Sequence, residues 1–220
     1  DSDMLFGGGS RTWIDEAAAL LERRPDALFV GPFPGPPRAD GSLDPALHVG
    51  FPGLTGVAAP VRIDEPAPAY RFSTVSTRIF MMDMRRFSTR IGALDLPRPD
   101  LKRRLRARAF AETPRAMPAE EVLSVNLAAR GLSRIDYLGA GAGMFSLHPP
   151  YRTPEFYARL PELVARIERG DIPEGQRGDF DLNAAMIDWS VALEAKRPAV
   201  RYRKALQHLL RVQAGRLRRG

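Results

Sequence analysis

An α/β fold is predicted for this chain of 220 residues by three features of its residue pattern. A glycine loop, an amphipathic helix and a short apolar strand follow one another over residues 7–30. A nearly continuous apolar run at 77–82 suits a strand covered on both faces, and a helix at 118–131 leads directly into a strand at 134–138. Helices alternating with apolar strands describe a sheet packed against helices.

Taken in order, Asp1-Ser2-Asp3 comes first, then Met4-Leu5-Phe6 and three glycines. Two carboxylates one residue apart, before an apolar step and a flexible loop, suit a hard divalent cation that also carries phosphate oxygens. Ile14, Ala17, Ala18 and Leu21 recur at helical spacing, so 13–24 reads as a helix that Pro25 ends. Ser10 or Thr12 can cap it, and Thr12 with Asp15 resembles a capping box. Residues 27–30 form the first buried strand. The stretch 31–68, rich in proline and glycine, predicts a functional loop or lid, with disorder as the alternative.

The strand expected at 77–82 ends at Asp83 and Arg85-Arg86, and Ile91-Gly92-Ala93-Leu94-Asp95 makes a turn. Residues 101–110 read as a helix whose basic run, Lys102 to Arg108, is a solvated face. Pro118 opens the next helix, with Glu120 and Glu121 in its first turn, where acids favour the helix dipole, and Gly131 closes it. The glycine alternation at 139–143 matches neither a phosphate-binding loop nor a dinucleotide fingerprint. His148 ends the apolar run that follows and precedes two prolines that fix the backbone. It is a candidate ligand, with a structural role as the alternative. A helix over 154–170 presents Phe156, Leu160, Leu163, Val164 and Ile167 on one face, and Asp181 caps another bearing Leu182, Met186, Trp189 and Leu193. From Val200 the tail sets four leucines against seven basic residues. Such a helix can lie on an anionic membrane surface or dock on the domain with its basic face in water.

Composition narrows the function classes. With no cysteine, disulfide frameworks, zinc ribbons and thiol nucleophiles are excluded. No apolar run approaches the ~20 residues of a membrane span. The formal net charge of +7 comes almost wholly from arginine and favours phosphate-rich partners without choosing among them.

The motifs fall in an order that resembles the second half of a GT-A nucleotide-sugar glycosyltransferase, more like bacterial family-2-like members than retaining ones. Asp1-Ser2-Asp3 is the D-x-D. Gly92-Ala93-Leu94-Asp95 stands for the Gly-Gly-Phe-Asp-like turn, with Ala93 and Leu94 replacing its second Gly and its Phe. Glu120-Glu121, followed by Leu123, Leu127 and Gly131, is the acidic pair, and His148 is the late histidine. The resemblance implies a Rossmann-like mixed-sheet catalytic domain over 1–150, with 151–220 as a helical extension. It implies Mn²⁺ or Mg²⁺ held by Asp3, Asp1 and His148, and a base that is Glu120 or Glu121. Asp1 and Asp3 would also contact the donor, with Arg78 as a phosphate contact. The partners implied are a nucleoside-diphosphate sugar and a hydroxyl acceptor, glycan or lipid-linked, with no nucleic acid. The setting implied is the cytoplasm, with peripheral membrane contact through the basic tail. A nucleotide-binding half would precede Asp1, so the chain is expected to be a fragment. A nucleotidyltransferase, and a non-catalytic basic protein that binds nucleic acid or lipid, are the alternatives.

Overall fold

A computed structural model describes residues 4–44, 59–64, 67–101, 103–105 and 117–195. Asp1, Asp3 and the basic tail from Val200 lie outside the described residues. The strands are β1 (Leu5–Gly7), β2 (Ala27–Pro34), β3 (Val61–Asp64), β4 (Pro68–Phe72), β5 (Met81–Met82), β6 (Ser133–Tyr137) and β7 (Phe145–Leu147). The helices are α1 (Trp13–Arg23), α2 (Met84–Arg86), α3 (Ala119–Ala129), α4 (Pro154–Glu168) and α5 (Ser190–Ala195). By compactness the chain divides into two units, Asp1–Asp95 with Ala119–Asp188, and Leu96–Pro118 with Trp189–Gly220. The second unit holds the helical residues 101 and 103–105 and α5. The sheet and the site described below belong to the first.

The fold is α/β with an open, mixed parallel and antiparallel sheet ordered β1-β7-β2-β6-β4-β3, compatible with a Rossmann-like arrangement. Central β2 runs parallel to β6 along one edge, Val30 facing Ile135 and Gly31 facing Asp136. β5 pairs antiparallel along the other edge at Phe29 and Val30, and β7 takes over where β6 ends, pairing parallel at Phe33 and Pro34. The outer strands β1, β4 and β3 add antiparallel.

Two apolar clusters form the core, and a register irregularity of β2 between Ala27 and Phe29 breaks its alternation, so that the neighbours Leu28 and Phe29 join the same cluster. In one, Trp13, Ala17, Leu20 and Leu21 of α1 pack on Ala27, Val30, Ala69, Ile135 and Tyr137. In the other, Leu28 and Phe29 meet Val75, Ile91, Leu127 and Leu132. Burying a leucine of this kind contributes about 1.5–3 kcal/mol, so α1 is held mainly by its apolar face. Its entry is tied to the end of β6. Trp13 Nε1 donates to the Tyr137 carbonyl at 2.9 Å, and Glu16 accepts from the Tyr137 hydroxyl and the Ala140 N–H, each at 2.9 Å. Burial, then the hydrogen bond to Glu16, push the Tyr137 phenol up to about 12.

Four expectations are corrected. The predicted loop beginning at Gly31 is, as far as Pro34, the buried second half of β2. Phe33 N–H and Gly35 N–H donate to the Met144 and Ser146 carbonyls. The nitrogens of Pro32 and Pro34 therefore face the opposite edge, the β5 side, where β5 pairs no further than Val30 and no strand needs a donor. The predicted strand at 77–82 pairs only at Met81–Met82, and Ile79 and Phe80 are exposed rather than covered. The Thr77 N–H is taken by Glu120, which holds this segment away from the sheet. Asp181 caps no helix; residues 184–186 are turns, because Asp181 is bridged to His148. The capping box is absent: Thr12 Oγ1 donates to the Glu16 carboxylate at 2.5 Å instead.

Candidate functional site

The carboxyl ends of β2 and β7 lie side by side, the place where open α/β sheets bind their ligands. His148 directly follows β7. Its N–H donates to the Phe180 carbonyl and its carbonyl accepts from the Leu182 N–H, both at 2.9 Å, so the backbones of His148 and Asp181 run as a short parallel bridge. Their side chains meet with Nδ1 2.7 Å from Oδ1. The Phe180 ring lies parallel to the imidazole, centroids 5.7 Å apart and 6° between planes. The Arg78 guanidinium sits over the same Phe180 ring at 4.5 Å, a cation–π contact. Two of the residues singled out by sequence, Arg78 and His148, thus converge on one phenylalanine that was not.

The glutamate pair behaves unequally. Glu120 Oε1 accepts from the Thr77 N–H at 2.9 Å and the Thr77 hydroxyl at 3.2 Å, while its residue stays half-buried. Glu121 is only 6% exposed. Because Thr77 adjoins Arg78, a continuous path of contacts runs from Glu120 through Thr77, Arg78 and Phe180 to His148 and Asp181. The turn at 92–95 joins the same framework. Gly92 takes φ +62 to end the π-helical turn Phe87–Ile91, and Asp95 exchanges two backbone hydrogen bonds with the buried Asn126 side chain of α3, at 2.9 and 2.8 Å.

The loop carrying Asp181 is built around Gln176, which is 0% exposed. Its Nε2 donates to the Asp179 and Asp181 carbonyls at 3.2 and 3.1 Å, and its Oε1 accepts from the Asn183 N–H at 3.0 Å. Asn183 Nδ2 donates to the Gly175 carbonyl and the Asp179 carboxylate. The loop rests on the end of β2 through Gly178 N–H to the Pro36 carbonyl, and Arg177 Nη1 donates to the Pro37 carbonyl at 3.2 Å. Phe180 and Gln176 escaped notice in the sequence and Asp181 was read only as a helix cap, because none stands in a recognisable spacing with His148; only the 33-residue closure brings Asp181 to it.

Among the described residues no group of three or more His, Asp or Glu side chains could hold a metal on its own. His148 and Asp181 offer one imidazole and one carboxylate. In the antiparallel register Leu5 faces Leu147, so the end of β1 that follows Met4 lies beside the end of β7 that precedes His148. Asp3 is joined to that end of β1 through Met4 alone. Comparison with protein-family models, with curated proteins and with solved structures finds no match, so the fold and the site stand on their own geometry.

Proposed function

We propose that the chain carries the metal and acceptor side of a metal-dependent, GT-A-type glycosyltransferase that moves a sugar from a nucleoside-diphosphate sugar to an acceptor hydroxyl. The observation that carries the reading is the β1–β7 register, which brings the strand end entered from Asp1-Ser2-Asp3 beside a carboxylate-bound histidine. An imidazole with two or more carboxylates is a donor set that suits Mn²⁺ better than Mg²⁺. Asp3, Asp1 and His148 would hold the ion, and when bound it supplies the charge that stabilises the departing diphosphate. Arg78, held at the same place over Phe180, adds a fixed cation for a phosphate oxygen.

Of the two glutamates we assign the base to Glu120. Its carboxylate is oriented through Oε1 by Thr77 and leaves Oε2 for an acceptor hydroxyl, whereas Glu121 is buried. Glu120 would take the hydroxyl proton as the acceptor oxygen attacks the anomeric carbon, while the bond from that carbon to the phosphate oxygen breaks and the nucleoside diphosphate leaves.

The test is calorimetric titration of the full-length protein with UDP and with GDP, with and without Mn²⁺. Nucleotide binding that requires Mn²⁺ and is lost in Asp3→Ala is expected. Binding that ignores both, together with affinity for nucleic acid or anionic vesicles that falls steeply with salt, would replace the reading with that of a basic surface-binding protein.

A further inference from the structure

We propose that the cleft beside β1 binds a small organic anion, an apolar body carrying one carboxylate or phosphate group, with Arg177 as the anchor of its charge. The cleft lies at the opposite end of the β1–β7 ladder from His148, since Gly7 faces Phe145 where Leu5 faces Leu147. It goes beyond the glycosyltransferase reading and does not depend on it.

The cleft measures about 400 Å³, within the ~300–1,000 Å³ typical of small-ligand pockets. Apolar side chains and bare backbone form its walls. Phe145 and Ile167 are buried, while Phe6 is 40% exposed and offers a ring to an apolar body. A Cβ on Gly7 would run into the Phe145 ring and lie 2.8 Å from Ile167, so both side chains close in here only because position 7 has none. Gly9 takes φ +75, and its Cβ position has no atom beyond its chain neighbours within 4 Å, so bare backbone borders open space. Arg177 is the cation of this lining. Its Nη1 donates to the Pro37 carbonyl at 3.2 Å, and its Nε lies 3.4 Å from Glu174 Oε2. The guanidinium is thus fixed along one edge, which leaves the N–H groups of Nη2 for a ligand. Charge-assisted bonds of this kind are the stronger ones, and a planar guanidinium suits carboxylate and phosphate alike. Two acids stand near without cancelling it. Glu174 is 78% exposed, and Glu168, which also lines the cleft, is exposed at the end of α4, so water and salt screen both. The formal net charge of +7 favours anionic ligands as well.

Proton–nitrogen-15 correlation spectra of the full-length protein test this, titrated with phenylacetate, with phenyl phosphate and with the neutral 2-phenylethanol. Both anions are expected to shift the Gly8 and Gly9 amide signals together with the Arg177 Nε–H signal. The tighter of the two tells a carboxylate ligand from a phosphate ester. The alcohol is expected to bind about tenfold more weakly or less, as a lost hydrogen bond to a charged group implies. Arg177→Gln is expected to erase the preference for anions and to leave the affinity for the alcohol unchanged. Ala142→Trp, which puts an indole into the cleft from an exposed position, is expected to remove binding of all three. A preference for anions that survives Arg177→Gln, binding that survives Ala142→Trp, or no shift at millimolar anion overturns the site. Gly8 and Gly9 signals that broaden with protein concentration instead would assign the cleft to a second copy of the chain, and overturn it too.

Discussion

A single carboxylate oxygen of Glu120 receives both the backbone N–H and the hydroxyl of Thr77, across 43 residues of sequence. The contact makes Glu120 at once a fastener for the 77–80 segment and an oriented base, and the two roles separate on substitution. Glu120→Gln keeps an acceptor oxygen for Thr77, so its unfolding free energy in urea should fall by no more than about 1 kcal/mol. Turnover should fall about 10²–10⁴-fold, the usual worth of a general base. Glu121→Gln, by contrast, should cost stability first. Full activity in Glu120→Gln, with loss in Glu121→Gln at unchanged stability, would reverse the assignment.

Gly35 governs the loop that presents Asp181. Its φ of +96 is strained for any L side chain, and a Cβ there would lie 2.2 Å from the Asp179 carbonyl oxygen, a backbone atom that cannot swing aside. Gly35→Ala should therefore destabilise the protein by roughly 1–3 kcal/mol from strain alone. Urea unfolding of wild type and Gly35→Ala checks it; equal stability would show that the loop carrying Asp179 adjusts to the added Cβ.

How much of this was legible in the sequence depends on the range of the force involved. The bodies of α1, α3 and α4 follow from periodicity, and Ala17, Leu21, Leu127, Phe156, Leu163 and Ile167 are buried as their spacing predicts, whereas Ile14, read on the same face of α1, is 67% exposed. Periodicity failed where a distant partner decided the local form. Pro32 and Pro34 read as loop because their missing donors are harmless only beyond the end of β5, which pairs no further than Val30. Leu182, Met186 and Trp189 have helical spacing, yet Asp181 is drawn to His148 and the chain turns instead. The same rule covers the site. Arg78, Glu120 and His148 were visible as residue types, whereas Phe180 was not and Asp181 was read as a helix cap rather than as the partner of His148.

Arg86 was read only as the end of a strand, and it is a clamp. Its guanidinium donates to the Leu21 carbonyl at 2.9 Å, to the Arg24 carbonyl at 3.1 Å and to the Ala27 carbonyl, and it lies 3.3 Å from the Asp83 carboxylate. A cation at the C-terminal end of α1 satisfies carbonyls the helix leaves unpaired and complements its dipole. Arg86→Met keeps much of the stem but strands those acceptors, and should cost roughly 2–4 kcal/mol in urea unfolding. Arg86→Lys should recover little of it, because one ammonium cannot replace the planar fork.

The most exposed weakness of the fold to pH lies in β6. Arg134 Nη2 donates to Asp136 Oδ2 at 2.9 Å with Nε 2.8 Å from Oδ1, and both side chains are buried, Arg134 over the Phe72 ring at 4.2 Å. Burial pushes the Asp136 carboxyl up to about 6 from 3.8, and Arg134 only partly opposes this. A carboxyl raised on folding stabilises the native state most when protonated, below its unfolded value. That contribution is lost as pH rises from about 4 through about 6, by an amount on the order of 3 kcal/mol. Asp136→Asn carries a neutral side chain at every pH and should remove this component of the pH slope. Replacing both, Arg134→Met with Asp136→Leu, should leave stability at pH 7 within about 1 kcal/mol of wild type or above it. Urea unfolding of all three proteins at pH 4.5 and pH 7 decides the matter: this component of the pH slope must be present in wild type and missing from the double variant. Identical slopes would mean that Asp136 stays ionised throughout and that its burial is fully offset by Arg134.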